Sequence, residues 1–259
     1  AIGVNSLVLV YPIEKITKIA QELEVESVWE DSKVFAMLDY SVRQIATPSV
    51  WAKGFTGRNI KIAVLDTGID SSHPMLQGKV LLQRNFSSSS TTNDVRGHGT
   101  HVAGIVAGTT RFGGDYNGVA PNALLFNAKV LGDDGTGDWN SIIAGINWAI
   151  DPDGNAVTDD GVDVINLSLG APTQPFGPID MAIRGAVDRG VVVVVSSGNC
   201  GRGCPSDNCQ GFIGVTTPGS SPDALTVGAV DDSNSVACFS SGDNVAGVGV
   251  KPDVVAPGV

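Results

Sequence analysis

Val64-Leu-Asp66-Thr-Gly-Ile-Asp70 closes the apolar run Ile60 to Leu65. About thirty residues later Gly97-His98-Gly-Thr-His101-Val-Ala-Gly104 opens a segment with helical spacing. Apolar runs of this length suit strands buried on both faces, and a Gly-rich turn leading into a helix is the usual exit from such a strand. The pair therefore reads as strand, turn and helix, with a carboxylate at the strand end and an imidazole at the helix mouth. That is the arrangement nucleophilic catalysis uses: the acid fixes the tautomer and orientation of the imidazole, which then serves as general base.

Working outward, the same alternation continues. Ala123 to Leu131, Val162 to Leu169, Val191 to Val195 and Ala224 to Val230 are near-continuous apolar runs, and His98 to Ala107, Ser141 to Ile150 and Pro178 to Arg189 carry helical spacing between them. Alternating β and α elements predict an α/β fold, a doubly wound parallel sheet with helices on both faces. Ligands in such sheets gather at the carboxyl ends of strands. Asp66, Ser168 and Asn199 all fall at strand ends, and Ser196-Ser-Gly-Asn199 presents a neutral amide there. Ser87 to Thr92 is polar and of low complexity, and is expected as an exposed loop.

The chain has 259 residues and a formal charge of −11, which argues against nucleic acid and anionic membrane surfaces as partners. No stretch is long and apolar enough to span a bilayer. Residues 1–6 show neither a charged leader region nor a long apolar one, so the chain is expected to begin inside a larger precursor. Cys200, Cys204, Cys209 and Cys238 are even in number and mostly clustered. They suit disulfides formed in an oxidising compartment, with three pairings open; a four-cysteine metal site is the alternative, at spacings that match zinc ribbons poorly.

These motifs resemble those of the subtilisin-like serine proteases (subtilases), from about Tyr40 to Val259. The resemblance implies that Asp66 orients His98, that His98 accepts the proton of a serine, and that Asn199 donates to the tetrahedral oxyanion. It implies substrate binding as an added strand between Gly135-Thr136-Gly137 and Ser168-Leu169-Gly170, with Ser196, Ser197, Gly198 and Asn199 walling the pocket for the residue before the cut. Trp139 then either floors a more distant pocket or packs the start of its helix. The nucleophile motif Gly-Thr-Ser-Met-Ala is absent. Ser168 falls to substrate binding, and Ser240 and Ser241 to a surface turn, so the expectation is a C-terminally truncated and inactive catalytic domain at 40–259.

Residues 1–39 resemble the end of a subtilase propeptide. Leu7 to Tyr11 and Val25 to Trp29 read as strands, Ile13, Ile16, Ile19, Ala20 and Leu23 have helical spacing, and Lys33 to Leu38 is a further strand. Self-cleavage is expected near Met37 to Tyr40. The implied protein is a secreted, monomeric endopeptidase precursor whose partners are polypeptide substrates and its own propeptide.

No cofactor is required for this chemistry. Asp151, Asp153, Asn155 and Asp159 space oxygen ligands like the first half of a calcium loop, although Val162 stands where a closing acid belongs. A solvated acidic turn is the alternative. Met75 stands where many subtilases place a calcium-holding Asp, so Asp70 is not expected to bind metal. Three other readings stay open: a peptide-binding scaffold without a nucleophile, a metal hydrolase using His98 and His101, and a peptide ligase. His101 is otherwise expected to be structural and His73 a loop residue.

Overall fold

The computed structural model describes residues 38–110, 116–155, 160–173 and 177–259. The expected strands and helix before Met37 lie outside them. Leu38 opens helix α1 (Leu38–Gln44), which runs through the expected domain boundary, and α2 (Thr47–Trp51) follows.

Among the described residues seven strands form one parallel sheet in the order β2-β3-β1-β4-β5-β6-β9. They are β1 (Lys61–Asp66), β2 (Val80–Asn85), β3 (Leu124–Lys129), β4 (Val164–Leu167), β5 (Val192–Ser196), β6 (Leu225–Val230) and β9 (Val254–Pro257). Between β6 and β9 lies an antiparallel hairpin, β7 (Asp243–Val245) with β8 (Gly249–Lys251). The helices between are α3 (His98–Ala107), α4 (Trp139–Ile150) and α5 (Gly177–Val187).

Side chains of a strand alternate between faces, and β1 divides its residues accordingly. Ala63 and Leu65 pack with Phe126, Ile142, Ile146, Ile179 and Ile183, beneath α4 and α5. Ile62 and Val64 pack with Ile69, Leu76, Ala103 and Ala107, beneath α3. Both faces are thus covered, which explains why β1 reads as apolar throughout and confirms the doubly wound reading.

Most bounds shift slightly from those expected. Helix α4 starts at Trp139 because Asp138 caps it, its carboxylate accepting from Ser141 N at 2.9 Å. Strand β2 was not legible: it is the sheet edge, and its four central residues are exposed. One expectation is overturned. Ser240 and Ser241 do not lie on a surface turn; they are 8 % and 1 % exposed. The Ser241 hydroxyl accepts from Cys200 N at 2.9 Å and that of Ser240 accepts from Ala229 N at 2.9 Å, so both hydroxyls satisfy buried backbone where 237–241 folds under the sheet end.

The four cysteines pair as Cys200–Cys209 and Cys204–Cys238. Both bridges brace the segment that follows β5. Among the described residues no helix is long and apolar enough to cross a membrane.

Candidate active site

Asp66 ends β1 in the middle of the sheet and is fully buried. Its Oδ1 accepts from Thr67 N at 2.7 Å and from His98 Nδ1 at 2.7 Å. A carboxylate offers only acceptors, so the His98 Nδ1 carries the proton and its Nε2 keeps the free lone pair. The His98 side chain is 48 % exposed. The imidazole pKa is raised above 6.5, chiefly by the hydrogen bond to Asp66 and then by the charges of Asp66 and Asp94, against opposition from desolvation and Arg96.

The pairing depends on backbones lying very close. A Cβ on Gly99 would stand 2.1 Å from the Gly68 carbonyl oxygen, and one on Gly68 would stand 2.5 Å from that of Thr92. Only glycine lets the helix start settle against the turn after β1. Below this junction Lys129, in register with Asp66 on β3, is completely buried. Its ammonium donates to the carbonyls of Thr67 and Asn93 and pairs with Asp133 at 2.9 Å. A buried cation is tolerated only when its donors are satisfied, and here they hold together the two turns that carry Asp66 and His98.

A cleft of about 790 Å³ opens over the ends of β1, β3 and β4, within the size range of ligand sites. His98 lines it together with both expected edges, Gly135-Thr136-Gly137 and Ser168-Leu169-Gly170. Trp139 lines it too and also packs against the core. Ser196, Ser197, Gly198 and Asn199 are not part of that lining. Ser197 is buried, while Asn199 is exposed at the loop start, its carbonyl accepting from Ser206 N at 2.9 Å.

Thr216 connects the two groups. It is buried, its hydroxyl donates to Ser197 O at 3.2 Å, and a Cβ on either Gly170 or Gly198 would collide with it. Thr216 therefore occupies the space between the two stretches. Arg96 and Asn208 also line the cleft. Nothing in their local sequence singles these residues out, because each reaches the site through a loop. Among the described residues no serine hydroxyl bonds the imidazole.

Neither His98 nor His101 belongs to a group of three potential ligands among the described residues; His101 is exposed on α3. The group that does converge is Asp151, Asp153 and Asp160, with ligand oxygens within 4.8 Å of one another. Asn155 N donates to both Asp151 and Asp153, and Asp159 lies outside the described residues. Asp70 closes a local turn by accepting from Ser72 N at 2.9 Å and its hydroxyl at 2.6 Å.

The subtilase family model matches residues 57–259. Subtilisin NAT of Bacillus subtilis subsp. natto is 40% identical over 220 residues, covering 85% of this chain and 52% of that protein. The alkaline protease of Alkalihalobacillus alcalophilus is 37% identical over 250 residues, covering 95% and 58%. The major intracellular serine protease of Bacillus subtilis (strain 168) is 37% identical over 227 residues, covering 85% and 65%. The chain spans about half the length of the first of these relatives. With its parallel sheet, its Asp66–His98 pair and a match over most of its length, the chain belongs to the subtilase family of serine proteases.

Proposed function

We propose that this chain carries the acid, the base and the substrate edges of a serine endopeptidase, with the attacking hydroxyl supplied from outside residues 1–259. The observation that carries this reading is the 2.7 Å contact between His98 Nδ1 and Asp66 Oδ1 at the wall of a cleft with two glycine-bearing edges. Asp66 holds the imidazole so that Nε2 faces the cleft, ready to take a proton from a nucleophile. The imidazolium that results is stabilised by the buried carboxylate, and it later delivers the proton to the departing amine. Asn199 is proposed as the oxyanion donor. An extended peptide docks between 135–137 and 168–170 through main-chain bonds, with Thr216 limiting the depth of the adjoining pocket.

The two disulfides support secretion into an oxidising compartment. Residues 1–39 are proposed as the end of an inhibitory propeptide, and the working form as a monomer. The test is peptide hydrolysis by the intact protein. His98→Ala should abolish turnover while circular dichroism stays unchanged, and surviving turnover would refute the base assignment. If no active form is found while extended peptides bind tightly and are not cleaved, the peptide-binding scaffold replaces this reading.

For the acidic turn we propose calcium, held by Asp151, Asp153 and Asp160. Three carboxylates this close repel one another unless a cation lies among them, and Asp160 Oδ1 is buried with no hydrogen-bond partner among the described residues. Calcium should raise the Tm, and Asp160→Asn should remove the increment; an equal rise in the variant would place the ion elsewhere.

A further inference from the structure

The carboxylate of Asp94 accepts more hydrogen bonds than a helix start requires. Its Oδ1 accepts from Arg96 N at 3.1 Å and Gly97 N at 2.8 Å, and its Oδ2 accepts from Thr100 N at 2.8 Å. The first two close a local turn before α3, and the third satisfies the free N–H of the helix's third residue. A fourth comes from elsewhere: the Thr67 hydroxyl donates to Asp94 Oδ1 at 2.8 Å and itself accepts from Gly99 N at 3.0 Å. Thr67 N in turn donates to Asp66 Oδ1, which holds His98. The bonds close a circuit from the helix of His98 through Asp94, Thr67 and Asp66 back to the imidazole.

We propose that Asp94 is a positioning residue for His98: it locks the helix start onto the turn after β1. Its carboxylate, bonded to the Thr67 hydroxyl beside Asp66, also favours the imidazolium. The inference rests on the reading of His98 as general base. The charged groups facing His98 are Asp66 at the end of β1, and Asp94 and Arg96 in the loop before α3. Lys129 of β3 reaches the carbonyls of Thr67 and Asn93 beneath them, and Asp134 shares the cleft from the far edge. Arg96 opposes the imidazolium, so removing the Asp94 charge leaves Asp66 as its main support.

The test is nuclear magnetic resonance on the resting 259-residue chain with labelled histidine, the His73 and His101 signals being assigned with His73→Gln and His101→Gln. Asp94→Asn should move the His98 titration midpoint downward. Thr67→Val keeps the charge but cuts the link, and should broaden the His98 Nδ1 proton signal through faster exchange with water. An unmoved midpoint in a folded Asp94→Asn chain overturns the electrostatic half. A Nδ1 signal in Thr67→Val as sharp as in the parent overturns the lock. If Asp94→Asn does not fold, Thr67→Val alone decides the lock, and Asp94→Glu decides the charge: it should keep the midpoint near the parent's, and a midpoint that falls overturns that half. These readouts need no turnover, so failure of the endopeptidase reading, seen in peptide hydrolysis, stays distinct from failure here.

Discussion

Helix α3 contains two glycines whose replacement by alanine should have opposite effects, and the contrast tests the account of the site. At Gly104 a Cβ meets nothing within 4 Å. Alanine in a helix interior is favoured over glycine by roughly 0.5–1 kcal/mol, so Gly104→Ala should stabilise by that amount. At Gly99 the new Cβ would stand 2.1 Å from the Gly68 carbonyl oxygen and 3.1 Å from Asp66 Cβ. Carbon-to-oxygen contacts rest at about 3.3–3.6 Å, so helix and turn must part by roughly 1.2 Å or more. Adding that to the 2.7 Å Asp66–His98 contact carries it past the limit of a hydrogen bond. Overpacking costs about 1–3 kcal/mol and loss of a bond to a charged group about 1.5–3, giving roughly 2.5–6 kcal/mol in all. Urea unfolding is the assay. With a slope of about 3 kcal/mol/M, the Gly99→Ala midpoint should fall by about 0.8–2 M, while that of Gly104→Ala rises slightly. A Gly99→Ala chain as stable as the parent, with its His98 titration unmoved, would show that the close backbone approach does not hold the pair.

The remaining predictions concern pH, the disulfides and the pocket. Because the folded His98 pKa lies above 6.5, the stability gained from its pairing is fully present below the unfolded value and is lost as pH rises through the folded one. Activity runs the other way: kcat/KM should rise through an acid limb whose midpoint exceeds 6.5, and a midpoint below it would contradict the assignment. Opening Cys200–Cys209, with a sequence separation of 9, should cost about 2.7 kcal/mol, and Cys204–Cys238, with a separation of 34, about 3.8. Paired Cys→Ala variants in thermal unfolding check the order, and a larger loss from the shorter loop would contradict the loop-entropy account. Thr216→Ala should deepen the space between 168–170 and 196–199, raising kcat/KM for bulky over small side chains before the cut by about tenfold. An unchanged ratio removes Thr216 from the pocket.

The fold was legible wherever burial on both faces forces composition. Strand β1, packed between β3 and β4 under helices on each side, has almost no position at which a polar residue is tolerated, so its apolar run marks it. Strand β2 has no such constraint: it pairs on one edge only, and Val-Leu-Leu-Gln-Arg-Asn carries no period that burial enforces. Asp66 and His98 were legible because their chemistry is tied to a strand end and a helix start. Asp94 and Thr216 were not. Asp94 meets the Thr67 hydroxyl and Thr216 the Ser197 carbonyl only once the chain has folded back, and neither an Asp two residues before an Arg nor a Thr before a Thr carries a local sign of it. Ser240 and Ser241 failed for the same reason in reverse, since small polar residues suit a turn in water and equally suit buried amides in need of an acceptor.

The two partners of the site differ sharply in what can touch them. Asp66 is sealed beneath the turn after β1, whereas about half of the His98 side chain is open to solvent. Chemical injury to this centre therefore has a single door. Electrophiles and oxidants meet the imidazole first, and a carboxylate-directed reagent can reach the acid only by waiting for the surrounding structure to open.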